Sequence, residues 1–291
     1  MSICYAPSRP GVVAWIDKDQ YLTYSACNLI IGRVSDPGRF EILRGHSQNI
    51  TTFAYNRAHG ICVSGQCAHE GHEDPSIPAF VWDIPNRRQT LVLRGHATSI
   101  THIDISADGR VVAIADQRSK KIWIWDLKEE DLGCYIGLEG DATTLQFGEE
   151  SENQWKLNVT VGVHIYEFTI KFDHRTFEYK YTSQLFLNPT TGYKRTYDAA
   201  AFSFPYLFLG THGGDLAIYD TPSRTLRATV PVDSFSISNI VAADGFVAVA
   251  GKELSILSGS DTNWNVMKRT DIECPILSLS MHNGSGIALT S

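Results

Sequence analysis

Residues 44–83 read RGHSQNITTFAYNRAHGICVSGQCAHEGHEDPSIPAFVWD, and residues 94–126 read RGHATSITHIDISADGRVVAIADQRSKKIWIWD. Each stretch opens with Arg-Gly-His and closes with Trp-Asp, and three short apolar segments lie between them. The segments are rich in Val, Ile, Thr and aromatic residues and are broken by Gly, Asp, Asn or Ser, which is typical of β-strands and turns. The two stretches are therefore tandem copies of one all-β unit.

This unit resembles the WD40 repeat, which forms one four-stranded blade of a β-propeller. The resemblance implies structural roles for the residues at the matching positions. They are Gly45, His46, Trp82 and Asp83 in the first copy, Gly95, His96, Trp125 and Asp126 in the second, and Tyr219 and Asp220 further along. In the family, the His, a strand Ser or Thr, a turn Asp and the Trp share a buried hydrogen-bond network. Ser76 and Ser119 stand where the Asp is expected, so we expect an incomplete network in both copies.

The rest of the chain can be threaded as further blades of the same kind. The closing positions Trp82, Trp125, Tyr166, Tyr219 and Leu257 are 43, 41, 53 and 38 residues apart, against a family period of roughly 40–45. We expect the loop Asn188–Arg195 to hold the extra residues of the long interval.

Residues 276–281 and 286–291 predict only two strands of a last blade. The predicted fold is an all-β, seven-bladed WD40 propeller with its last blade incomplete in this chain. It forms a single domain over residues 1–291. We expect this domain to be the N-terminal propeller of a longer tandem-propeller protein; alternatively, another strand fills the gap.

The composition of the chain limits the classes of partner that it can bind. The formal charge of −7 disfavours broad attraction to nucleic acid or to an anionic membrane, because phosphate binding needs clustered Lys and Arg. No segment approaches the roughly 18 apolar residues of a membrane span, and the first residues lack the pattern of a signal peptide. Six scattered cysteines fit free thiols in the reducing cytoplasm.

No enzyme motif emerges, so we predict a non-catalytic protein without cofactor or metal. Two features keep alternatives open. Cys62, Cys67, His69 and His72 are zinc-ligand types, but their spacing fits no zinc class and Cys62 lies within a predicted strand. The run 210–214 is rich in glycine and could bind an anion, although a tight turn also needs glycine there.

Two small basic groups are the candidate partner-binding residues. The first group, in the loop between the second and third strands of the second copy, is Arg118, Lys120 and Lys121. The second, in loops on the opposite face, is Arg87, Arg88 and Arg110. Loop charges are usually only solvated, but either group could contact an acidic protein surface.

A narrower resemblance suggests a function. The strand end Val63-Ser64-Gly65-Gln66, the insertion after it and the run 208–220 are similar to blades of two related groups, the EMAP-like microtubule-associated proteins and the ciliary, flagella-associated WD-repeat proteins. The resemblance implies a cytoplasmic scaffold of the cytoskeleton or of the axoneme of a cilium or flagellum, with tubulin or axonemal proteins as partners. The loop Cys67–Ala79 is a further candidate contact. The alternative is a WD40 substrate receptor or adaptor of a ubiquitin-ligase or regulatory complex.

Overall fold

The computed structural model describes residues 12–68, 76–187, 195–243, 245–272, 274–282 and 285–290. Within these ranges the chain forms 26 β-strands and no helix that could cross a membrane. Consecutive antiparallel strands make six four-stranded sheets and one two-stranded hairpin. We call each sheet a blade and its successive strands a to d. The prediction of an all-β fold with an incomplete last blade is confirmed.

The strands of the first three blades follow one another along the chain. Blade one contains β1 Ala14–Trp15, β2 Gln20–Ser25, β3 Asn28–Arg33 and β4 Phe40–Arg44. Blade two contains β5 Ile50–Asn56, β6 Ile61–Gln66, β7 Ile77–Asp83 and β8 Arg88–His96. Blade three contains β9 Ile100–Ile105, β10 Val111–Asp116, β11 Lys121–Asp126 and β12 Asp131–Gly137.

The later blades continue in the same order. Blade four contains β13 Ala142–Ser151, β14 Gln154–Val161, β15 His164–Asp173 and β16 Glu178–Leu185. Blade five contains β17 Tyr197–Ser203, β18 Tyr206–Thr211, β19 Asp215–Asp220 and β20 Thr225–Pro231. Blade six contains β21 Asn239–Ala243, β22 Phe246–Ala250, β23 Glu253–Ser260 and β24 Asn263–Asp271, and blade seven contains β25 Ile276–His282 and β26 Ser285–Thr290.

The chain divides into two compact units. Residues 1–141 and 280–287 form the first unit, which includes blades one to three. Its core lies between neighbouring blades. The buried residues between blades one and two include Leu22, Leu29, Ile31, Phe53 and Trp82. Those between blades two and three include Val63, Leu93, Ile100, Ile114 and Trp125.

The second unit, residues 142–279 and 288–291, is built in the same way. Ile165, Phe186 and Tyr219 are part of its core between blades four and five, and Phe208 and Ile237 belong to the core between blades five and six. The b strands of blades five and six are buried on both faces and therefore read as nearly continuous apolar runs rather than as an alternating pattern.

Blade four departs from the common plan. In blades three and five, Asp126 pairs with Asp131 and Asp220 pairs with Thr225, five residues later. The equivalent Glu167 pairs with Gln184, seventeen residues later. Strand β15 continues for six residues past Glu167, about 20 Å of extended chain at 3.3 Å per residue.

This extension corrects the interpretation of the long interval. The extra residues lie in the lengthened β15–β16 hairpin, and not in a loop at 188–195 as we expected; residues 188–194 themselves lie outside the described part. Strand β13 also continues through the polar residues Glu149 and Glu150 to Ser151, which pairs with Gln154. The β13–β14 pairing shifts register at a bulge between Phe147 and Glu150.

Two glycines of the first unit give a matched stability test. A Cβ at Gly65 would overlap the branched side chain of Ile100 in the next blade, whereas a Cβ at exposed Gly137 would meet nothing within 4 Å. We expect Gly65→Ala to lower the free energy of unfolding by about 1–3 kcal/mol through overpacking, and Gly137→Ala to change it by less than about 0.5 kcal/mol. Urea unfolding measures both. Equal effects of the two substitutions would contradict this packing.

Candidate functional site

The Gly-His and Trp-Asp dipeptides of blade two meet in a buried hydrogen-bond network. His46 Nε2 lies 2.6 Å from Ser64 Oγ, and His46 Nδ1 lies 2.9 Å from Gln66 Oε1. Trp82 Nε1 donates to the same Ser64 Oγ at 2.8 Å. Because the amide oxygen of Gln66 can only accept, His46 Nδ1 carries the ring proton and donates it to Gln66. Nε2 of the neutral ring then accepts from the Ser64 hydroxyl, which itself accepts from Trp82.

This network is complete in blade two, so our expectation of an incomplete one is wrong there. Gln66, at the end of β6, accepts the hydrogen bond from His46 that we expected an Asp to accept. Burial lowers the pKa of His46 to about 4, which keeps the ring neutral at physiological pH. A neutral, fully hydrogen-bonded ring fixes the geometry of the strands around it.

Blade three lacks this network. Ile114 occupies the position of Ser64, and neither ring nitrogen of His96 has a hydrogen-bond partner within the described residues. The buried ring instead packs edge-to-face on Trp123 and Trp125, at 5.4 and 6.3 Å between ring centroids. Burial lowers the pKa of His96 to about 4. The role of His96 is therefore apolar packing.

The Asp that follows each aromatic residue shapes the turn between strands c and d. Asp83 accepts the backbone N–H of Asn86 at 3.1 Å, and the side-chain and backbone hydrogen bonds from Asn86 lower the pKa of this carboxyl. Asp126 accepts from the backbone N–H of Glu129, and Asp220 from that of Ser223, at 3.2 and 2.9 Å. These contacts place all three Asp residues in local turn structure.

The remaining predicted structural positions are also packed against aromatic rings. A Cβ at Gly45 would lie 2.9 Å from Trp82, so the backbone passes directly over that ring. Gly95 has a φ of +127°, which only glycine adopts readily, and lies beside Trp123. The hydroxyl of Tyr219 is 3.1 Å from that of Tyr197 in the buried face of blade five.

Of the candidate basic residues, the group Arg87, Arg88 and Arg110 bonds to its own chain. Arg87 Nε donates to Glu41 Oε2 at 2.9 Å and ties blade two to blade one. Arg110 donates from Nε and Nη2 to Asp126 at 3.0 and 2.7 Å, and only 14% of its side chain is exposed. Arg88 is 67% exposed, but it contacts the carboxylate of its own c–d turn. These pairs stabilise the fold and leave little free charge.

The other group lies in the loop that joins strands b and c of blade three. Arg118 and Lys120 are exposed and form no ion pair within the described part of the chain. Their φ angles are +68° and +53°, a left-handed conformation that costs a non-glycine residue about 1–2 kcal/mol. Seven other non-glycine residues of the described chain share this conformation, which is typical of tight turns. In this turn it sets the backbone from which two cationic side chains project.

Hydrogen bonds hold this strained loop in place on both sides. Gln117 N donates to Ser99 O at 2.8 Å, and the hydroxyl of Thr98 donates to Gln117 O. Arg118 N donates to Asp141 Oδ1 at 3.1 Å. The backbone of the loop is therefore anchored to the segments before β9 and after β12.

Lys121 extends the cationic surface onto an aromatic one. Its Nζ lies 4.9 Å from the centre of the Tyr135 ring and 5.9 Å from that of Trp123, within cation–π range. Tyr135 is 55% exposed. We define the cationic loop patch as Arg118, Lys120, Lys121, Trp123 and Tyr135. Its positive charges can bind carboxylates, and the phenol ring of Tyr135 can pack against a side chain or a peptide plane.

The described residues do not converge on catalytic chemistry. A surface depression between blades two and three is lined by His59, Asp83 and Glu130, among others, but Asp83 is already engaged by Asn86 and Arg88. Among the described residues, no three His, Cys, Asp or Glu side chains cluster as metal ligands. Cys62 is wholly buried in β6, and burial raises its pKa. The other zinc candidates, His69 and His72, lie outside the described residues, as does most of the loop Cys67–Ala79.

Two curated proteins are similar in sequence. The chain is 21% identical over 253 residues to mouse WD repeat-containing protein 90, which matches 86% of this chain and 13% of that protein. It is 23% identical over 125 residues to Cilia- and flagella-associated protein 52 of Chlamydomonas reinhardtii, which matches 43% of this chain and 20% of that protein. The chain thus spans a fifth or less of the length of these relatives. No protein-family model matches it.

Many solved structures share the fold. The structure of U3-55K and the crystal structure of the RRP9 WD40 repeats each align with a TM-score of 0.71, at 11% and 10% identity. They cover 95% of this chain and 86% and 85% of their own chains. A chain in the crystal structure of the mitotic checkpoint complex aligns with a TM-score of 0.70 at 11% identity, over 96% of this chain and 83% of its own. At these identities the likeness concerns the fold alone.

The buried histidines predict a specific pH dependence of stability. In the folded protein His46 and His96 each have a pKa near 4, whereas a histidine in an unfolded chain has a pKa near 6.5. Between these values the unfolded state binds more protons. Each neutral histidine should therefore contribute roughly 3 kcal/mol to the free energy of unfolding above about pH 6.5. This contribution should be lost progressively as the pH falls toward 4.

The variant His96→Phe should flatten this dependence by about half and leave stability at pH 7.5 nearly unchanged, because His96 loses no hydrogen bond within the described residues. Denaturant unfolding of both proteins at pH 7.5, 6 and 5 measures the effect. The same slope in the two proteins would show that His96 is not buried and neutral.

Proposed function

We propose that this WD40-repeat β-propeller is a non-catalytic protein-interaction scaffold, and that its cationic loop patch binds an acidic protein surface of the microtubule cytoskeleton or the ciliary axoneme. The observation that carries the proposal is the loop itself. Arg118 and Lys120 are exposed, have no ion pair in the described chain and are held in a left-handed backbone conformation. Such a loop is arranged for a partner outside its own unit.

The geometry favours binding in two ways. The loop is anchored before it binds, so little conformational entropy is lost when a partner orders it. Its charges are solvent-exposed, so they accelerate association with an acidic surface and are screened by salt, with a Debye length of about 10 Å at 0.1 M. Tyr135 supplies contact area beside these charges at a small entropic cost.

The cellular setting rests on sequence similarity. One relative is named for cilia and flagella, and the strand end Val63-Ser64-Gly65-Gln66 is similar to blades of microtubule-associated and ciliary propellers. Tubulin and axonemal proteins are therefore the proposed partners, in the cytoplasm and at the cytoskeleton. That residues 1–291 form a single propeller domain of a longer protein stays a prediction.

Co-sedimentation with polymerised microtubules tests the proposal. We expect the wild-type protein to pellet at low salt and to pellet several-fold less at 0.15 M added salt. The double variant Arg118→Glu/Lys120→Glu should lose most of the low-salt binding, because it replaces two positive charges with two negative ones at the loop.

The matched control is Lys18→Glu/Lys128→Glu, which makes the same change in net charge at exposed residues of the a–b turn of blade one and the c–d turn of blade three, at the other end of the blades. It should keep most of the binding. Equal losses of binding in the two double variants would show that net charge alone explains the effect, and would contradict a role for the loop. A folded wild-type protein that fails to pellet would reject tubulin, and a receptor or adaptor role would then be the better proposal.

A further inference from the structure

The outer strand of blade four is an unusually open sheet edge. In blades two, three, five and six, the pairing of strands c and d shifts register next to the closing position. Such bulges twist an edge strand and limit its pairing with another chain. Blades one and four show no shift, and the regular pairing runs for five pairs between β3 and β4 but for eight between β15 and β16. Strand β16 is the last strand of its sheet.

From Tyr181 onward, β16 also lacks the charged residues and prolines that usually protect a sheet edge. Glu178 and Lys180 lie at one end, and the five residues from Tyr181 to Leu185 are uncharged. By contrast, β20 carries Arg227 and ends in Pro231. All five residues from Tyr181 to Leu185 are exposed. Edge strands that are long, regular and uncharged are templates for a further strand.

The hydrogen-bond directions can be assigned along this edge. Phe186 N donates to Ile165 O, so even-numbered residues of β16 direct their backbone groups toward β15. Odd-numbered residues alternate with them. The backbone N–H and C=O groups of Tyr181, Ser183 and Leu185 therefore point away from the sheet, over about 13 Å of strand.

The two faces of the edge differ in chemistry. Tyr181 and Leu185 share one face and are 41% and 52% exposed. Lys180 lies on the other face, directly opposite Lys171. Two lysines in register repel each other, and Lys171 forms no ion pair within the described residues. The link between Lys180 and Glu178, at 3.6 Å, joins two mostly exposed side chains and contributes little.

We propose that β16 is a docking edge for an extended peptide segment that joins blade four as a fifth strand. The partner segment alternates apolar and acidic residues. Its apolar side chains lie against Tyr181 and Leu185, and a carboxylate opposite Lys180 neutralises the Lys171–Lys180 pair. This surface is separate from the cationic loop patch and does not rest on the function proposed for that patch. Main-chain hydrogen bonds supply affinity and the alternating side chains supply selectivity.

A labelled eight-residue peptide of alternating valine and glutamate is the probe, and fluorescence anisotropy measures its binding to the whole chain. The substitution Ser183→Pro removes one outward N–H and blocks the edge, yet leaves the β15 ladder intact, because proline is tolerated where the N–H faces solvent. We expect Ser183→Pro to weaken binding at least tenfold and Ser183→Ala to leave it unchanged.

Two further measurements keep the test independent of the stability of the proline variant. Lys180→Glu should weaken binding of this peptide several-fold and strengthen binding of its valine–lysine counterpart. Hydrogen exchange at the amides of Tyr181, Ser183 and Leu185 should slow when the wild-type protein binds the peptide.

Failure of the folded wild-type protein to bind the peptide would overturn the proposal, as would binding that neither Ser183→Pro nor Lys180→Glu weakens. Dimerisation of the protein that Ser183→Pro abolishes would also overturn it, in favour of a second copy of this chain as the occupant of the edge.

Discussion

The contact between a glycine on strand b and an isoleucine of the next blade sets the spacing of blades in both units. Gly65 of blade two lies against Ile100 of blade three, and Gly210 of blade five lies against Ile237 just before blade six. At each place a Cβ would overlap the branched side chain, so the blades can approach closely only because the side chain is absent. Interiors are packed too densely to absorb such a change without cost.

Close packing of the blades leaves function to the loops and edges. Most b strands are buried on both faces, and Arg87 and Arg110 tie strands and blades together. Among the described residues, the b–c loop of blade three and the outer strand of blade four carry the groups best placed to contact a partner. The loop presents fixed positive charge and the strand presents unpaired backbone groups. The loop and the strand can therefore recognise two different kinds of protein partner.

Much of this architecture could be predicted from the sequence because the WD40 signals are local. The Gly-His and Trp-Asp dipeptides mark the ends of blades, and short apolar runs mark their strands. The features that were missed depend on distant or conformational information. Gln66 replaces the expected Asp by its position in space, the partner of Arg87 is 46 residues away, and the left-handed angles of Arg118 and Lys120 have no signature in the sequence.

Zero-length carbodiimide crosslinking to polymerised tubulin, followed by peptide mass spectrometry, tests most directly whether the cationic loop patch contacts an acidic surface. The reaction joins a lysine only to a carboxylate in direct contact with it. We predict crosslinks from Lys120 and Lys121 to acidic residues of tubulin, and their loss when salt is added. Crosslinks confined to lysines elsewhere, such as the exposed Lys128 at the other end of blade three, would contradict the assignment of this loop as the binding site.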